Sequence, residues 1–207
     1  MTTQTMLKPI RIDTPFHANH FDKIEKIIPH VSAVLEILGL DLEDESIRDT
    51  PRRVATMYVQ EVFSGLNPAV KPKITLFENV YGYKEMLLEK DITFFSYCEH
   101  HLVPFYGKAH VAYFPNHYVV GLSKLNRLVQ YIAKKPQVQE RLTVQIFDEL
   151  QRALQTKDVA VVLEATHLCI ASRGVEDVNS LTRTSHFGGK FEEREIKNEF
   201  LQQIESM

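Results

Sequence analysis

The stretch "GLSKLNRLVQYIAKKPQVQERLTVQIFDELQRALQ", residues 121–155, is the most informative about the architecture of this chain. Over residues 121–135 the apolar side chains recur at steps of three and four, which is the spacing of one face of a helix. The same steps continue over residues 137–155, and Pro136 separates the two periodic segments. Ser123 stands where the N-cap of the first helix is expected. The stretch therefore predicts two helices in succession, each with one apolar face.

Sequence typical of strands flanks these two helices on both sides. Runs of β-branched and aromatic residues, broken by Gly, Pro and Asn, occur at residues 73–80, 91–97, 108–114 and 117–122. After the helices, residues 158–174 return to the same character, and residues 180–191 indicate one more strand or an extended segment. A short, mostly charged helix is predicted over residues 192–206. This order predicts an α+β fold with a mostly antiparallel sheet.

The first third of the chain is predicted to be helical. Residues 17–39 carry an apolar stripe at helical spacing, which Pro29 is expected to kink or divide. A further helix is predicted with Pro51 in its first turn. Because the character changes near residue 73, we expect an N-terminal helical segment, residues 1–72, and a second domain, residues 73–207.

The composition is that of an ordinary globular chain, with 207 residues, 44% of them hydrophobic and 25% charged. A net charge of -3 gives no global positive field that would attract nucleic acid. The first residues, "MTTQTMLKPIRIDTPF", lack the apolar run of a secretory signal, and no apolar run approaches the ~18 residues that span a bilayer. The two cysteines favour metal binding or burial over a disulfide. We therefore expect a cytoplasmic protein without a nucleic-acid or membrane partner.

A candidate metal site begins in "SYCEHHLVPF", residues 96–105, where the spacing of Cys98 and His101 lets one turn bring both side chains onto one ion. Far downstream, His167 and Cys169 lie two residues apart in a strand-like run, where a period of two places both on one sheet face. If the two cysteines converge with His101, they form a three-ligand zinc site with a position left for water. Such an open site is typical of catalytic zinc.

Two simpler interpretations of these residues stay open. Most isolated cysteines are simply buried, without a metal. Alternatively, His100 or His167 supplies a fourth ligand, which would close the site and make the zinc structural.

The start of the first central helix is a candidate anion site. Free backbone N–H groups and the helix dipole favour an anion there, and Lys124 and Arg127 add two cations one turn apart, which suits a polyphosphate. Arg173 follows Cys169 by four residues, within reach of the same ligand. A solvated first turn with ordinary basic residues is the alternative.

The start of the second central helix carries Gln139 and Glu140. A carboxylate at this position can accept two N–H bonds from an amidine-like edge, such as N1 and N2 of guanine. An acidic residue in the first turn is also what any helix prefers, so both interpretations stay open.

Five motifs together resemble the GTP cyclohydrolase I family. They are "RDTPRRVATMYVQEVFSGL", "CEHHLVPFYGKAHVAY", "VVGLSKLNRLVQYIAKKPQVQERLT", "THLCIASRG" and "TRTSHFGG". The resemblance runs from about residue 20 to about residue 191, with the motifs in the family's order. It implies a T-fold, or tunnelling fold, in which an antiparallel sheet carries two long helices and follows an N-terminal helical segment. It also implies a toroidal homodecamer with active sites at subunit interfaces.

The resemblance implies hydrolytic opening of the guanine imidazole ring of GTP, release of formate and formation of 7,8-dihydroneopterin triphosphate. This is the first step of tetrahydrofolate and pterin biosynthesis. The implied zinc ligands are Cys98, His101 and Cys169, and the ion lowers the pKa of bound water. His100 matches the histidine that protonates N7, and His167 matches the one that serves later proton transfers around the ribose.

The resemblance also implies the contacts with GTP. Glu140 matches the carboxylate that anchors guanine, with Gln139 beside it, and Ser123 matches a residue near the ribose and phosphate. The implied triphosphate contacts are Lys124, Arg127, Arg173 and, from a neighbouring subunit, Arg53. This chain departs from the family at Thr56, where bacterial relatives can carry a lysine, and at His186, for which the resemblance implies no role.

Two other functions fit these residues less well than the hydrolase does. A related reductase of a pterin or deazaguanine would need a nucleophilic cysteine and no zinc triad, whereas this chain has all three ligands. A non-catalytic, zinc-stabilised ring that binds GTP or a protein would not need His100 and His167 beside the ligands. The residues therefore favour the hydrolase.

Overall fold

The computed structural model describes residues 20–205, and the chain divides into two compact units. The first unit ends at Ala55 and the second begins at Thr56. The domain boundary that the sequence predicts between residues 72 and 73 stays a prediction. The predicted start of the first helix, residues 17–19, lies outside the described residues.

The first unit contains α1 (His20–Ile37) and most of α2 (Thr50–Thr56). Because α1 continues through Pro29, the prediction that this proline divides the helix is wrong. A proline removes one hydrogen bond from a helix, and here the turns on both sides of it remain helical. Pro51 lies in the first turn of α2, as predicted.

The second unit is built around a five-stranded sheet with the strand order β5-β2-β3-β6-β7. Neighbouring strands are antiparallel except the short β5, which pairs in parallel with β2. A separate two-stranded sheet joins β1 and β4. The elements in chain order are β1 (Leu76–Glu78), β2 (Leu87–Cys98), β3 (Pro104–Tyr113), β4 (Tyr118–Val120), α3 (Leu122–Ala133), β5 (Pro136–Gln137), α4 (Gln139–Leu154), β6 (Val159–His167), α5 (Leu168–Ala171), β7 (Thr182–Phe187) and α6 (Arg194–Glu205). The predicted α+β class and mostly antiparallel sheet are confirmed.

The helices α3 and α4 are the two that residues 121–155 predict, and they cover one face of the large sheet. Their apolar side chains pack with alternate residues of β2, β3 and β6, since neighbouring residues of a strand point to opposite faces. The core on this face includes Phe94, Phe105, Leu125, Leu128, Ile146, Leu150, Val161 and Leu163. Burying each side chain of this size contributes about 1.5–3 kcal/mol, so this face anchors the sheet.

The opposite face of the sheet is covered by the C-terminal segment. Ala112 of β3 and Val162 of β6 pack with Phe191 and with Phe200 of α6. Small residues on the strands leave room for these two rings, which meet edge to face with centroids 5.8 Å apart. Both faces of β3 are therefore buried over residues 109–113, where β3 pairs with the first half of β6, whereas Tyr106 and Lys108 nearer the start of β3 are exposed.

Two local predictions differ from the structure. Gly121, in an extended conformation, occupies the N-cap of α3, and the Ser123 side chain makes no capping hydrogen bond, so the prediction that Ser123 caps the helix is wrong. Pro136 does separate α3 from α4, but together with Gln137 it also forms β5, which lies beside Cys98 at the end of β2.

Within residues 20–205, none of the helices combines the length and the apolar character needed to cross a membrane.

Candidate metal centre and active site

The first part of the site is the tight turn that joins β2 to β3. Cys98 is the last residue of β2, and its N–H donates to the Val103 carbonyl at 2.9 Å. The Leu102 N–H donates back to the Cys98 carbonyl at 2.8 Å. Leu102 has a φ of 53°, in the left-handed region, which lets the chain reverse within a few residues. The turn leaves His100 and His101 exposed beside the buried Cys98.

The second part of the site follows β6. This strand ends at His167, and Cys169 lies on the short helix α5. The prediction that His167 and Cys169 share the face of one strand is therefore wrong, because the chain becomes helical directly after His167. The sheet still brings the segments together, since Phe105 at the start of β3 pairs with Ser96 of β2 on one side and with His167 on the other.

Three side chains from these two segments form one cluster, which we call the metal-binding group: Cys98, His101 and Cys169. Their ligand atoms all lie within 4.8 Å of one another, and both cysteines are free thiols. Two sulfurs and an imidazole this close together suit a borderline-soft divalent ion such as zinc. Among residues 20–205 the group has three members, and His101 is exposed, so the arrangement is open rather than closed by a fourth side chain.

The surroundings of Cys169 oppose ionisation of its thiol. Burial, followed by the proximity of Cys98, raises the pKa of the Cys169 thiol, while the Arg173 guanidinium acts in the opposite direction. A bound divalent cation stabilises both thiolates and so removes this resistance to ionisation. Arg173 follows Cys169 by four residues, just after the end of α5.

Two histidines adjoin the metal-binding group without belonging to it. Nδ1 of His100 lies 3.5 Å from Sγ of Cys98. The ring of His167 stacks on Phe105, with centroids 4.6 Å apart and an angle of 4° between the planes. The structure therefore places His100 against Cys98, and it places His167 at the end of β6, two residues before Cys169.

The start of α4 reaches the same end of the sheet. Gln139 is 2% exposed, and its Oε1 lies 2.7 Å from Nε2 of His167. Glu140, the next residue, is exposed. Burial lowers the pKa of His167, and the Glu140 carboxylate opposes this shift. The two residues predicted to bind guanine thus lie beside the predicted second histidine.

An ion pair ties the metal-binding turn to α4. The Arg141 guanidinium binds the Glu99 carboxylate and also donates to Gln137 Oε1 at 2.9 Å and to the Pro136 carbonyl at 3.3 Å. In addition, the Glu99 N–H donates to the Gln137 carbonyl at 3.0 Å. Backbone and side-chain contacts therefore fix the turn that carries Cys98 and the two neighbouring histidines.

The predicted phosphate-binding residues of α3 lie far in space from the metal-binding group of the same chain. Asn126 in the first half of α3 donates to Glu89 near the start of β2, at 3.0 Å. At the other end of α3, the Ala133 carbonyl accepts from Oγ of Ser96 at 2.7 Å. A strand rises ~3.3 Å per residue, so Glu89 and Cys98 lie at most about 30 Å apart on β2, which has an irregularity between Glu89 and Ile92. Within one chain, the structure therefore does not bring the metal-binding group together with Ser123, Lys124 and Arg127.

The positions of the remaining residues named in the sequence analysis are as follows. Arg53 lies on α2 in the first unit, where its guanidinium is 3.8 Å from the Asp49 carboxylate. Thr56 is the last residue of α2. His186 of β7 packs against Phe147 of α4, with ring centroids 4.1 Å apart, so it has a packing contact that the sequence did not indicate.

Three neighbours of the site were not predicted: Glu99, Phe105 and Thr184. Phe105 could have been found, because alternation along β3 places it on the face that the helices cover. The other two make their contacts with segments distant in the sequence, and no local pattern indicates such contacts.

Comparison with known proteins gives a consistent result. The family model described as GTP cyclohydrolase I matches residues 27–205. A protein named GTP cyclohydrolase 1 from Flavobacterium johnsoniae is 57% identical, over 95% of this chain and 87% of its own length. Proteins of the same name from Actinobacillus pleuropneumoniae and Vibrio cholerae are 55% and 51% identical, over 85% and 87% of this chain and 81% and 84% of their own lengths.

Among solved structures, the archaeosine synthase QueF-Like in the apo form matches 50% of this chain and 93% of its own, with 14% sequence identity and a TM-score of 0.43. A similarity of this size indicates no activity.

Proposed function

This chain belongs to the GTP cyclohydrolase I family, and we propose that it acts as a GTP cyclohydrolase I at the metal-binding group and its neighbours. The reaction opens the imidazole ring of GTP by hydrolysis, releases formate and forms 7,8-dihydroneopterin triphosphate. It is the first step of tetrahydrofolate and pterin biosynthesis, within one-carbon metabolism.

One observation links the proposed activity to this group of residues. Cys98, His101 and Cys169 converge from two distant segments, and two further histidines, His100 and His167, lie beside them. An open group of three ligands suits a metal that acts on substrate, and histidines outside that group are free for proton transfer.

We propose zinc as the ion, because its preferred ligands in catalytic sites include two thiolates with one imidazole. When bound, zinc supplies a Lewis acid that brings the pKa of coordinated water towards ~7. The exposure of His101 leaves the group accessible to GTP from solvent.

The two histidines take the proton transfers. His100 places Nδ1 towards the Cys98 sulfur, so its Nε2 faces away from the ligand and is the nitrogen proposed to protonate N7 of guanine. His167 is proposed to serve the later transfers around the ribose. Histidine suits both tasks because its pKa lies near neutral pH.

We propose that Glu140, beside Gln139, anchors the guanine base, because both residues flank His167 at the start of α4. A carboxylate there can accept from N1 and N2 of the base. Arg173, close to Cys169, is proposed to contact the triphosphate.

The rest of the triphosphate site is proposed to come from a second copy of the chain. The first half of α3 lies near Glu89, at the end of β2 opposite to Cys98, so one chain does not place both around one GTP. We therefore assign to the neighbouring copy the contacts made by Ser123, Lys124, Arg127 and Arg53.

We propose that the second unit is a T-fold and that ten copies assemble into a toroidal homodecamer. Among the described residues, β7 pairs with β6 alone and so presents an edge to another strand. Closing a ring through such edges removes the unpaired backbone groups that favour aggregation. The free thiols of Cys98 and Cys169 are compatible with the reducing cytoplasm, where we propose that the protein works.

The assignment is tested by incubating the purified, metal-loaded protein with GTP, oxidising the product and measuring neopterin fluorescence, with bound zinc measured in parallel. We expect His100→Ala to retain zinc but lose about 10²–10⁴-fold in kcat, since it removes an acid–base group and no ligand. We expect Cys169→Ala to lose both zinc and turnover.

A parent protein that forms no neopterin would overturn the proposed function. Parental turnover by His100→Ala would overturn the acid–base assignment and leave the metal site standing.

A further inference from the structure

Gln139 has a side-chain amide whose hydrogens are all used within the chain. The residue is 2% exposed at the first position of α4. Its Nε2 lies 3.2 Å from the Leu163 carbonyl of β6, 2.9 Å from the Thr182 carbonyl of β7 and 3.1 Å from Oγ1 of Thr184. An amide nitrogen carries two hydrogens, so three acceptors leave none for a substrate.

These contacts fix which way the amide points. Two of the three partners are backbone carbonyls, which can only accept, so the atom facing them must be the nitrogen. The oxygen of Gln139 therefore faces His167, at 2.7 Å from Nε2. An amide oxygen only accepts, so Nε2 of His167 must carry a proton.

A second contact holds the plane of the same ring. His167 stacks on Phe105 with an angle of 4° between the rings, and the two residues are direct partners in the β3–β6 register. The stacking limits tilting of the ring, and the hydrogen bond to Gln139 limits its rotation about the side-chain bond. Together they leave Nδ1 as the nitrogen of His167 that Gln139 does not engage.

We propose that Gln139 is a positioning residue, which holds His167 in the Nε2-protonated form and directs Nδ1 to the substrate, and which makes no amide contact with guanine. This inference rests on the proposed function, because it assigns His167 a proton-transfer role. It leaves Glu140 as the side chain of this pair that binds the base.

The contacts with Thr182 and Thr184 extend the arrangement to β7. Oγ1 of Thr184 also lies 2.7 Å from Oγ1 of Thr143, one helical turn after Gln139 in α4. The amide is therefore anchored on three elements, α4, β6 and β7, and this anchoring makes it a rigid support for the ring.

The test compares Gln139→Met, which keeps the length of the side chain and removes the acceptor, with Gln139→Glu, which keeps an acceptor oxygen for His167 but loses the N–H groups that donate to the Leu163 and Thr182 carbonyls. For Gln139→Met we expect kcat to fall about 10- to 100-fold, with KM for GTP and bound zinc close to parental values, because the loss concerns the orientation of an acid–base group. We expect Gln139→Glu to recover part of the lost kcat.

The tautomer is read directly from solid-state ¹⁵N spectra of the zinc-loaded protein labelled at histidine, at pH 8, with His167→Asn used to assign the signal. We expect the parent to show Nε2 protonated, and Gln139→Met to show a mixture of both tautomers. Gln151→Met is the matched control, because Gln151 on the same helix donates to the Lys157 carbonyl at 2.9 Å, at the other end of α4. It should change neither kcat nor the His167 signal.

A rise in KM with unchanged kcat in Gln139→Met would show that the amide binds GTP and would overturn the inference. The same holds for a parent spectrum with Nδ1 protonated. If Gln139→Met fails to fold, the parent spectrum and the kcat of Gln139→Glu still decide the matter. If the parent forms no neopterin, the proposed function fails, whereas the ¹⁵N signal still tests the contact between Gln139 and His167.

Discussion

His110 lies in the middle of β3, buried between groups from both neighbouring strands. Its Nδ1 accepts from the Asp91 N–H of β2 at 3.3 Å, and its Nε2 lies 3.8 Å from the Glu164 carboxylate of β6. Within the described part of the chain, Nε2 has no hydrogen-bond partner. Burial lowers the pKa of His110, Glu164 and Asp91 oppose this, and Arg183 and Lys90 add to it. The fold therefore keeps this histidine neutral.

This burial makes stability depend on pH. In the unfolded chain His110 gains a proton as the pH falls below ~6.5, whereas the folded chain resists protonation. The unfolded state then binds more protons, so the free energy of unfolding decreases as the pH falls. The contribution of neutral His110 to the free energy of unfolding is fully present above pH ~6.5 and is lost progressively as the pH falls towards the lower pKa of the folded state.

We expect His110→Asn, which keeps an acceptor for the Asp91 N–H, to reduce this slope by at most ~1.4 kcal/mol per pH unit, the value for one proton. The measurement is urea unfolding at several pH values between 5 and 8, at fixed protein concentration. His117→Asn is the control, since His117 is exposed. An unchanged slope in His110→Asn would contradict this explanation.

At the scale of elements, the site depends on how the β2–β3 turn is attached to α4. The ion pair between Glu99 and Arg141 is partly buried, with side-chain exposures of 24% and 13%. The same turn is paired through its backbone with Gln137 of β5. The turn that carries Cys98 and His101 is thus fixed by residues outside the metal-binding group.

We expect Glu99→Gln to weaken zinc binding about 10-fold, because side chains that orient metal ligands typically contribute 10- to 100-fold in affinity. The measurement is competition for zinc against a chelator of known affinity. Arg152→Gln is the control, since Arg152 pairs with Glu149 on α4 and is 68% exposed. Equal zinc affinity in Glu99→Gln and the parent would show that the backbone contacts alone hold the turn.

The elements also show what sequence alone can predict. The periodicity of residues 121–155 is strong and local, so α3 and α4 follow directly from it. The two-residue β5 is too short to carry a sequence pattern. The strand-like pattern of β6 continues past His167, whereas the chain becomes helical there and forms α5. The N-cap of α3 is Gly121, which has no side chain that could cap the helix. The preference of serine for N-cap positions therefore points to the wrong residue, Ser123.

At the scale of the whole molecule, the convergence of Cys98 with Cys169 was the least predictable feature. Spacing can place Cys98 near His101, but only the strand order β2-β3-β6 brings Cys169 to them. The resemblance to the family, by contrast, predicts that Cys98 and Cys169 lie close together. The contacts of Gln139 with His167 and Thr184 depend on the same tertiary arrangement, and no local sequence pattern indicates them.

We expect two inactive variants, Arg127→Ala and Cys169→Ala, to restore part of the activity when they are co-expressed. A mixed assembly can combine an intact α3 from one copy with an intact metal-binding group from another, and random mixing would make about a quarter of the sites complete. The measurement is neopterin formation by the purified mixture, with each variant alone as control. No recovery, despite mixed oligomers on native mass spectrometry, would place both residues in a site formed by one chain.

The separation of the metal ligands along the chain sets the order of events during biosynthesis. About 70 residues lie between Cys98 and Cys169, and they include β3, α3, α4 and β6. A nascent chain on the ribosome cannot complete the coordination sphere until Cys169 has emerged and β3 has paired along both of its edges. Metal insertion is consequently a late step of maturation, and an occupied site reports that the sheet has been assembled.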